Sequence, residues 1–135
     1  MKKLSAILVS LGLVTLAACG LCERWDNIAS RANQVIAAAD LVAPLASKGW
    51  QDRYAKAKES WTRTNAEVVA DCTAIAEGHG SKVETAKAIA RGALLVVDLV
   101  SLWREAPHER VASVVPDLDK LVADAMKLRQ EALKR

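Results

Sequence analysis

The stretch Pro44-Leu45-Ala46-Ser47-Lys48-Gly49 interrupts two long segments whose apolar residues recur at helical spacing. Proline disfavours helical geometry in the residue before it, and glycine is a poor helix former, so the stretch is expected to end one helix and precede another. It also lies midway between Cys22 and Cys72. The sequence therefore predicts an antiparallel helical hairpin that turns near residue 47 and brings these two cysteines together.

The two helices of this hairpin each carry an apolar stripe. The first helix is predicted over Leu21 to Val42 and the second over about Trp50 to Glu77. The stripes repeat every three or four residues, as expected of a buried helix face, and Cys22 and Cys72 lie in line with them. The stripe residues are Trp25, Ala29, Ala32, Ile36 and Ala39 in the first helix, and Trp50, Tyr54, Ala57, Trp61, Thr64, Val68, Cys72 and Ile75 in the second.

Pairing about residue 47 also positions two tryptophans of the hairpin. It places Trp61 opposite Asn33, beside Ala32, and Trp25 opposite Val69. We therefore expect each large aromatic side chain to meet small side chains on the other helix.

A third helix is predicted after Gly78-His79-Gly80, starting at a capping box formed by Ser81 and Glu84 and running to about Arg104. Its almost wholly apolar stretch, residues 93–103, is interrupted by Asp98. This pattern favours a buried central helix over a transmembrane segment.

A fourth helix is predicted to start at Pro107, because proline is tolerated in the first turn of a helix. Pro116 is expected to kink or split this helix. Its heptad-like apolar series predicts a seam against the other helices, formed by Val111, Val114, Leu118, Leu121, Ala125, Leu128 and Ala132.

The N-terminal residues have the composition of an export signal. Lys2 and Lys3 precede an uncharged run from Leu4 to Ala18, which is shorter than the roughly 20 apolar residues that a membrane-spanning helix needs. Leu16-Ala17-Ala18-Cys19 resembles the lipobox of bacterial lipoproteins at all four positions. The resemblance implies that residues 1–18 are removed and that Cys19 receives a diacylglycerol and an N-acyl chain such as palmitate. The alternative is an ordinary secreted protein in which Cys19 is a disulfide partner.

The same resemblance implies a location and a domain organisation. Gly20 is not the aspartate that retains many lipoproteins in the inner membrane, so we expect the outer membrane, on its periplasmic face. Removal of residues 1–18 leaves 117 of the 135 residues, which suits one compact domain. We expect residues 19–135 to form a single all-α domain, a small antiparallel bundle of about four helices anchored at Cys19.

The cysteine count is informative once one cysteine is acylated. Cys22 and Cys72 remain as an even pair in an oxidising compartment, which predicts a disulfide between them. Cys19-Gly20-Leu21-Cys22 also has the spacing of a redox Cys-x-x-Cys motif. Lipid would occupy the first sulfur of that motif, and nothing nearby has the strand–helix–strand pattern of a thioredoxin-like site, so the redox interpretation is disfavoured.

The sequence offers little that points to catalysis. It has no glycine-rich phosphate loop, no Gly-x-Ser-x-Gly, no His-Glu-x-x-His and no metal-spaced cluster of cysteine and histidine. His79 and His108 are interpreted as exposed polar residues. Loss of Lys2 and Lys3 lowers the formal charge from +3 to +1, which argues against nucleic acid as a partner. We expect no catalytic residues, no metal and no cofactor besides the lipid on Cys19.

The four tryptophans, Trp25, Trp50, Trp61 and Trp103, have two interpretations. They form a binding surface for a sugar, a peptide or another protein, or they fill the core of a chain that has no phenylalanine. Core packing is favoured. Trp25, six residues after Cys19, has a third option at the membrane–water interface.

Three classes of function remain. A non-catalytic helical adaptor or accessory subunit of the cell envelope needs an anchor, a rigid bundle and an apolar seam, all of which are predicted, so this hypothesis is favoured. The alternatives are a phage or prophage-encoded lipoprotein for surface exclusion or lysis, and a cell-wall-active enzyme. The expected partners are the membrane, through the lipid, and an envelope protein that the sequence does not identify.

Overall fold

The computed structural model describes residues 20–134, so the predicted signal peptide and Cys19 lie outside the described residues. Four helices form the described chain: α1 (Gly20–Val42), α2 (Lys48–Ala76), α3 (Lys82–Glu105) and α4 (Leu118–Leu133). Short 3₁₀ turns lie at Ala43–Leu45 and His108–Arg110, and residues 20–134 contain no strand. The prediction of a small all-α bundle of about four helices is confirmed.

The helices run alternately up and down, and α3 contacts each of the other three. Half of the residues of α3 are buried, among them Ile89, Ala93, Val96 and Leu99. The prediction of a buried central helix is therefore confirmed. No helix within residues 20–134 has the combination of length and apolarity needed to cross a membrane.

Side-chain caps define where three of the helices begin. The hydroxyl of Ser47 accepts a hydrogen bond from the Trp50 amide (3.2 Å), and Ser81 does the same for the Glu84 amide (3.2 Å). The Asp117 carboxylate accepts from the Lys120 amide (3.1 Å). Each cap satisfies an amide that would otherwise lack an intrahelical partner, so each helix start is specified by local sequence.

The end of α2 is set by a turn that requires glycine. Gly78 has a φ of +89°, a left-handed conformation that strains other residues. The amide of His79 donates to the carbonyl of Ala74 (2.9 Å) and the amide of Gly78 to that of Ile75 (3.0 Å), the hydrogen-bond pattern of a Schellman motif. The chain thus reverses direction between α2 and α3 as the sequence predicts.

The predicted start of the fourth helix is wrong. The helix begins at Leu118, after Pro116, and Pro107 precedes only the 3₁₀ turn at His108–Arg110. Pro116 disfavours helical geometry at Val115, so the chain reaches α4 through an irregular linker. Val114, predicted to lie in the apolar seam, is 92% exposed in this linker. The seam is formed by α4 itself, where the buried residues are Leu121, Ala125, Leu128 and Ala132.

The interior of the α1–α2 hairpin agrees with the predicted pairing at Trp61 but not at Trp25. The indole N–H of Trp61 donates to the side-chain oxygen of Asn33 (2.9 Å). On α2 the ring of Trp25 packs against another large ring, that of Trp61, with a centroid distance of 5.4 Å. The small residue that accommodates Trp25 is Gly92 of α3, where an added Cβ would overlap the ring. The predicted pairing concerned only α1 and α2, so it did not include this contact with α3.

Candidate functional site

The start of α1 is covalently fixed to the end of α2. A disulfide joins Cys22 and Cys72, whose Cα atoms lie 5.9 Å apart, within the range that a disulfide requires. Helix α1 begins at Gly20, so Cys19 directly precedes this locked end of the bundle. We call this end, where α1 and α3 begin and α2 and α4 finish, the disulfide end, and the opposite end the far end.

The four tryptophans do not form an exposed binding surface. Their exposed fractions are 1% for Trp25, 4% for Trp50, 1% for Trp61 and 5% for Trp103. The interpretation as a binding groove is therefore wrong, as is the membrane-interface option for Trp25. The core-packing alternative is the one that the structure shows, because in a chain without phenylalanine the indole rings supply the large apolar side chains.

Most of the buried indole N–H groups have a defined acceptor, as buried polar groups require. Trp25 donates to the side-chain oxygen of Asn65 (3.0 Å), and Trp50 donates to the carbonyl of Leu102 (2.8 Å). With the Trp61–Asn33 bond, α1 and α2 each provide one tryptophan and one asparagine to a reciprocal pair. These bonds fix the rotation of the two helices about their axes.

The two histidines lie at opposite ends of the bundle. His79 is exposed, as predicted, and its Nε2 atom lies 3.3 Å from a Glu77 carboxylate oxygen. His108 is half-buried and stacks on Trp103 with a centroid distance of 5.1 Å, so the prediction of an exposed residue is wrong there. Within residues 20–134, no group of three or more histidine, cysteine, aspartate or glutamate side chains is placed to hold a metal ion.

A cleft of about 230 Å³ lies between α1 and α4. Its floor is formed by Ile28 and Leu128, both buried. Its polar rim has three cationic residues and one carboxylate, together with one amide: Arg24, Arg31, Lys127, Asp124 and Asn27. The rim therefore carries a formal excess of two positive charges over an apolar floor.

The two arginines of this cleft are positioned by carboxylates of α4. Arg24 pairs with Glu131, and Arg31 Nη2 donates to Asp124 (3.0 Å). Their Nε atoms face the α1 backbone, at 3.4 Å from the Gly20 carbonyl for Arg24 and 3.5 Å from the Asn27 carbonyl for Arg31. A guanidinium has five N–H donors, more than these contacts use, so each arginine can donate to a further acceptor.

The carboxylate of Asp124 is kept ionised beside these cations. Burial alone would raise its pKa, but hydrogen bonds from Lys120 (3.2 Å) and Arg31 (3.0 Å), together with their positive charges, hold the pKa below its ordinary value. Asp124 therefore stays ionised at neutral pH and accepts the hydrogen bond from Arg31.

A second cleft, of about 560 Å³, lies at the far end. It is formed by the α1–α2 turn, where Leu45 and Trp50 contribute, and by the segment after α3 that includes Pro107 and His108. Leu41 and Leu45 are exposed at this end, and the exposed Val114 lies in the linker that joins α3 to α4 there. The far end thus presents apolar side chains to solvent.

The α1–α4 cleft was not predicted from the sequence, although a signal for it is present. Arg24, Asn27 and Arg31 follow one another at intervals of three and four residues, which places them on one face of α1. Their proximity to Lys127 depends on the packing of α1 against α4, which the predicted pairing of α1 with α2 does not determine.

No family model, no curated protein and no solved structure matches this chain.

Proposed function

We propose that this chain is a lipoprotein of the bacterial cell envelope, attached through Cys19 to the outer membrane on its periplasmic face, and that it acts there as a non-catalytic helical adaptor or accessory subunit. In this proposal residues 1–18 are a signal peptide, and a diacylglycerol and an N-acyl chain on Cys19 hold the bundle at the membrane. The partner is an envelope protein that contacts the far end.

The observation that carries the proposal is that Gly20, the residue after Cys19 in the sequence, already lies in a helix that the disulfide holds. Helix α1 starts at Gly20, and the disulfide from Cys22 fixes its first turn to the end of α2. A lipid on Cys19 would therefore be joined to a folded body without an intervening linker. Two or three acyl chains give an effectively permanent attachment, because each buried methylene contributes about 0.8 kcal/mol.

The polarity of the bundle supports an accessory role. The proposed lipid lies at the disulfide end, and the larger cleft lies at the far end, about 35 Å away along a helix of 23 residues. Leu41 and Leu45 are exposed at the far end, and Val69, Val83 and Leu133 are exposed toward the disulfide end. Contiguous patches of exposed apolar side chains are a feature of surfaces that contact other proteins. A body held at one end and presenting such side chains at the other fits an adaptor.

Replacing Cys19 by serine tests the anchor. The variant is expected to lose incorporation of a metabolic acyl label and to leave the outer-membrane fraction, because serine lacks the thiol that accepts the lipid. Cys72→Ser is a control, since it also replaces a cysteine by serine but leaves Leu16-Ala17-Ala18-Cys19 intact, and it should label normally although it loses the disulfide. Undiminished labelling of Cys19→Ser would overturn the proposal.

A further inference from the structure

The α1–α4 cleft has the properties of a site for an amphiphilic anion. Its rim supplies guanidinium and ammonium groups, which bind phosphate oxygens, and its floor of Ile28 and Leu128 suits an attached hydrocarbon. The cations are only partly neutralised, because Lys127 is exposed and has no ion pair among the residues that the structure describes. The cleft therefore has both a charged and an apolar subsite.

The arginines are held in place before any ligand binds. Arg31 is anchored by Asp124 and has a side chain that is only 19% exposed, and Arg24 is anchored by Glu131. A guanidinium has five N–H donors, more than the ion pair uses, so an incoming oxygen can be bound without breaking either ion pair. Preorganised donors of this kind lower the entropic cost of binding.

The size and position of the cleft narrow the choice of ligand. A volume of about 230 Å³ is small for a whole lipid or a drug-sized molecule but sufficient for a phosphate with its adjoining glycerol carbons. Arg24 and Arg31 lie five and twelve residues after Cys19, which corresponds to about 8 and 18 Å along a helix. Helix α4 brings Lys127 to the same end of the bundle.

We infer that this cleft binds a phosphodiester group carried by an amphiphile, and that its source is a phospholipid headgroup of the membrane to which Cys19 is attached. The assignment of the ligand to a membrane phospholipid rests on the proposed lipid anchor. The binding of a phosphodiester is inferred from the residues of the cleft alone. In this arrangement Lys127 and the guanidinium N–H groups of Arg24 and Arg31 contact the phosphate oxygens. The first carbons of the lipid lie over Ile28 and Leu128.

The test is calorimetric titration of the full chain, purified from envelopes in a neutral detergent, with a short-chain phosphatidylglycerol. We expect saturable binding that the matching diacylglycerol without phosphate does not show. Inorganic phosphate, as a separate arm, should bind much more weakly because it does not reach the apolar floor. Equal binding of the lipid with and without phosphate would overturn the inference, and equal binding of inorganic phosphate would refute the lipid source.

Lys127→Gln is the diagnostic variant, with Lys56→Gln as its matched control. Both lysines are exposed and have no ion pair within residues 20–134, but Lys56 lies on the outer face of α2, away from the cleft. Loss of one charged hydrogen bond should weaken lipid binding about tenfold for Lys127→Gln. Lys56→Gln should bind as the unchanged protein does.

Equal weakening by both substitutions would show non-specific charge attraction and contradict the inferred site. Unchanged binding by Lys127→Gln would do the same. The mass of the N-terminal peptide, measured on the same preparations, reports separately whether Cys19 carries lipid. The titration reports binding of added lipid to the cleft, and the peptide mass reports lipid on Cys19. A missing lipid on Cys19 and a cleft that does not bind phosphatidylglycerol can therefore be distinguished.

Discussion

At the scale of single residues, Tyr54 is a buried titratable group whose hydroxyl has two hydrogen-bond acceptors nearby. Its hydroxyl lies 2.7 Å from a carboxylate oxygen of Asp40, to which it donates, and 3.1 Å from the carbonyl of Ile36. The ring stacks on Trp50 with a centroid distance of 4.9 Å. Burial of the phenol, followed by its hydrogen bond to Asp40 and the negative charge of that carboxylate, raises the pKa of Tyr54 far above its ordinary value.

This environment predicts how the protein responds to alkali. A folded-state pKa above the unfolded value of about 10 stabilises the fold at lower pH, and the stabilisation is lost as the pH rises above that value. Tyr54 is the single tyrosine of the chain, so phenolate absorbance reports it alone. We expect no phenolate signal until the protein unfolds, whereas the chain in denaturant should titrate near pH 10.

Asp40→Asn is the control for this titration. Asparagine retains an oxygen that can accept the phenolic hydrogen bond but removes the negative charge that opposes ionisation. The phenolate signal of the variant should therefore appear at lower pH than that of the unchanged protein. Reversible ionisation of the unchanged folded protein near pH 10 would contradict the structural account of Tyr54.

At the scale of helices, the α1–α2 hairpin is fixed by several contacts centred on the same turn. The disulfide, the Trp61–Asn33 bond and the Tyr54–Asp40 bond all join positions equally distant from residue 47. Lys58 adds an ion pair to Asp40 at 2.9 Å. Covalent, polar and ionic contacts thus specify one register, and a shifted hairpin would lose all of them together.

The disulfide is expected to contribute substantially to stability. Joining cysteines 50 positions apart removes chain entropy from the unfolded state, worth about 4 kcal/mol in the chain-entropy estimate. A variant with Cys22→Ala and Cys72→Ala should therefore lose about that much free energy of unfolding, measured by urea denaturation. For a domain with a total of about 5–15 kcal/mol, this is a large fraction.

Reduction of the unchanged protein provides the control for the double variant. Its denaturation midpoint should shift toward that of the variant, because both remove the same cross-link. Cys19→Ser should have no such effect, since the cross-link joins Cys22 and Cys72. Indistinguishable denaturation curves with and without the disulfide would show that the hairpin is held by its non-covalent contacts alone.

The sequence predicted what depends on local pattern or on symmetry about a turn. The positions of Ser47, Ser81 and Gly78 determine helix ends through neighbouring backbone groups, and the midpoint between Cys22 and Cys72 determines the hairpin. The start of α4 was predicted wrongly because Pro107 and Pro116 are both compatible with a helix start, and the capping side chain of Asp117 was overlooked. The caps at Asp117 and the ion pair of Asp119 with Arg104 (2.6 Å) favour the later start.

At the scale of the whole molecule, the contacts that were not predicted are those made between distant helices. Trp25 packs over Gly92, which belongs to α3, and Arg31 meets Asp124, which is 93 positions away. Neither follows from the periodicity of a single helix. The α1–α4 cleft depends on this long-range packing, so its residues looked like ordinary surface charges in the sequence.

We propose that a disulfide-locked helical body is attached to the membrane through Cys19. The most direct test is intact-mass spectrometry of the protein extracted from envelopes without a reducing agent. The predicted result is a chain that begins at Cys19 and carries a diacylglycerol and an N-acyl chain there. Its mass should increase by that of two hydrogen atoms when the disulfide is reduced to two thiols. A chain that begins at any other residue, or one with an unmodified Cys19, would contradict the proposed attachment through Cys19.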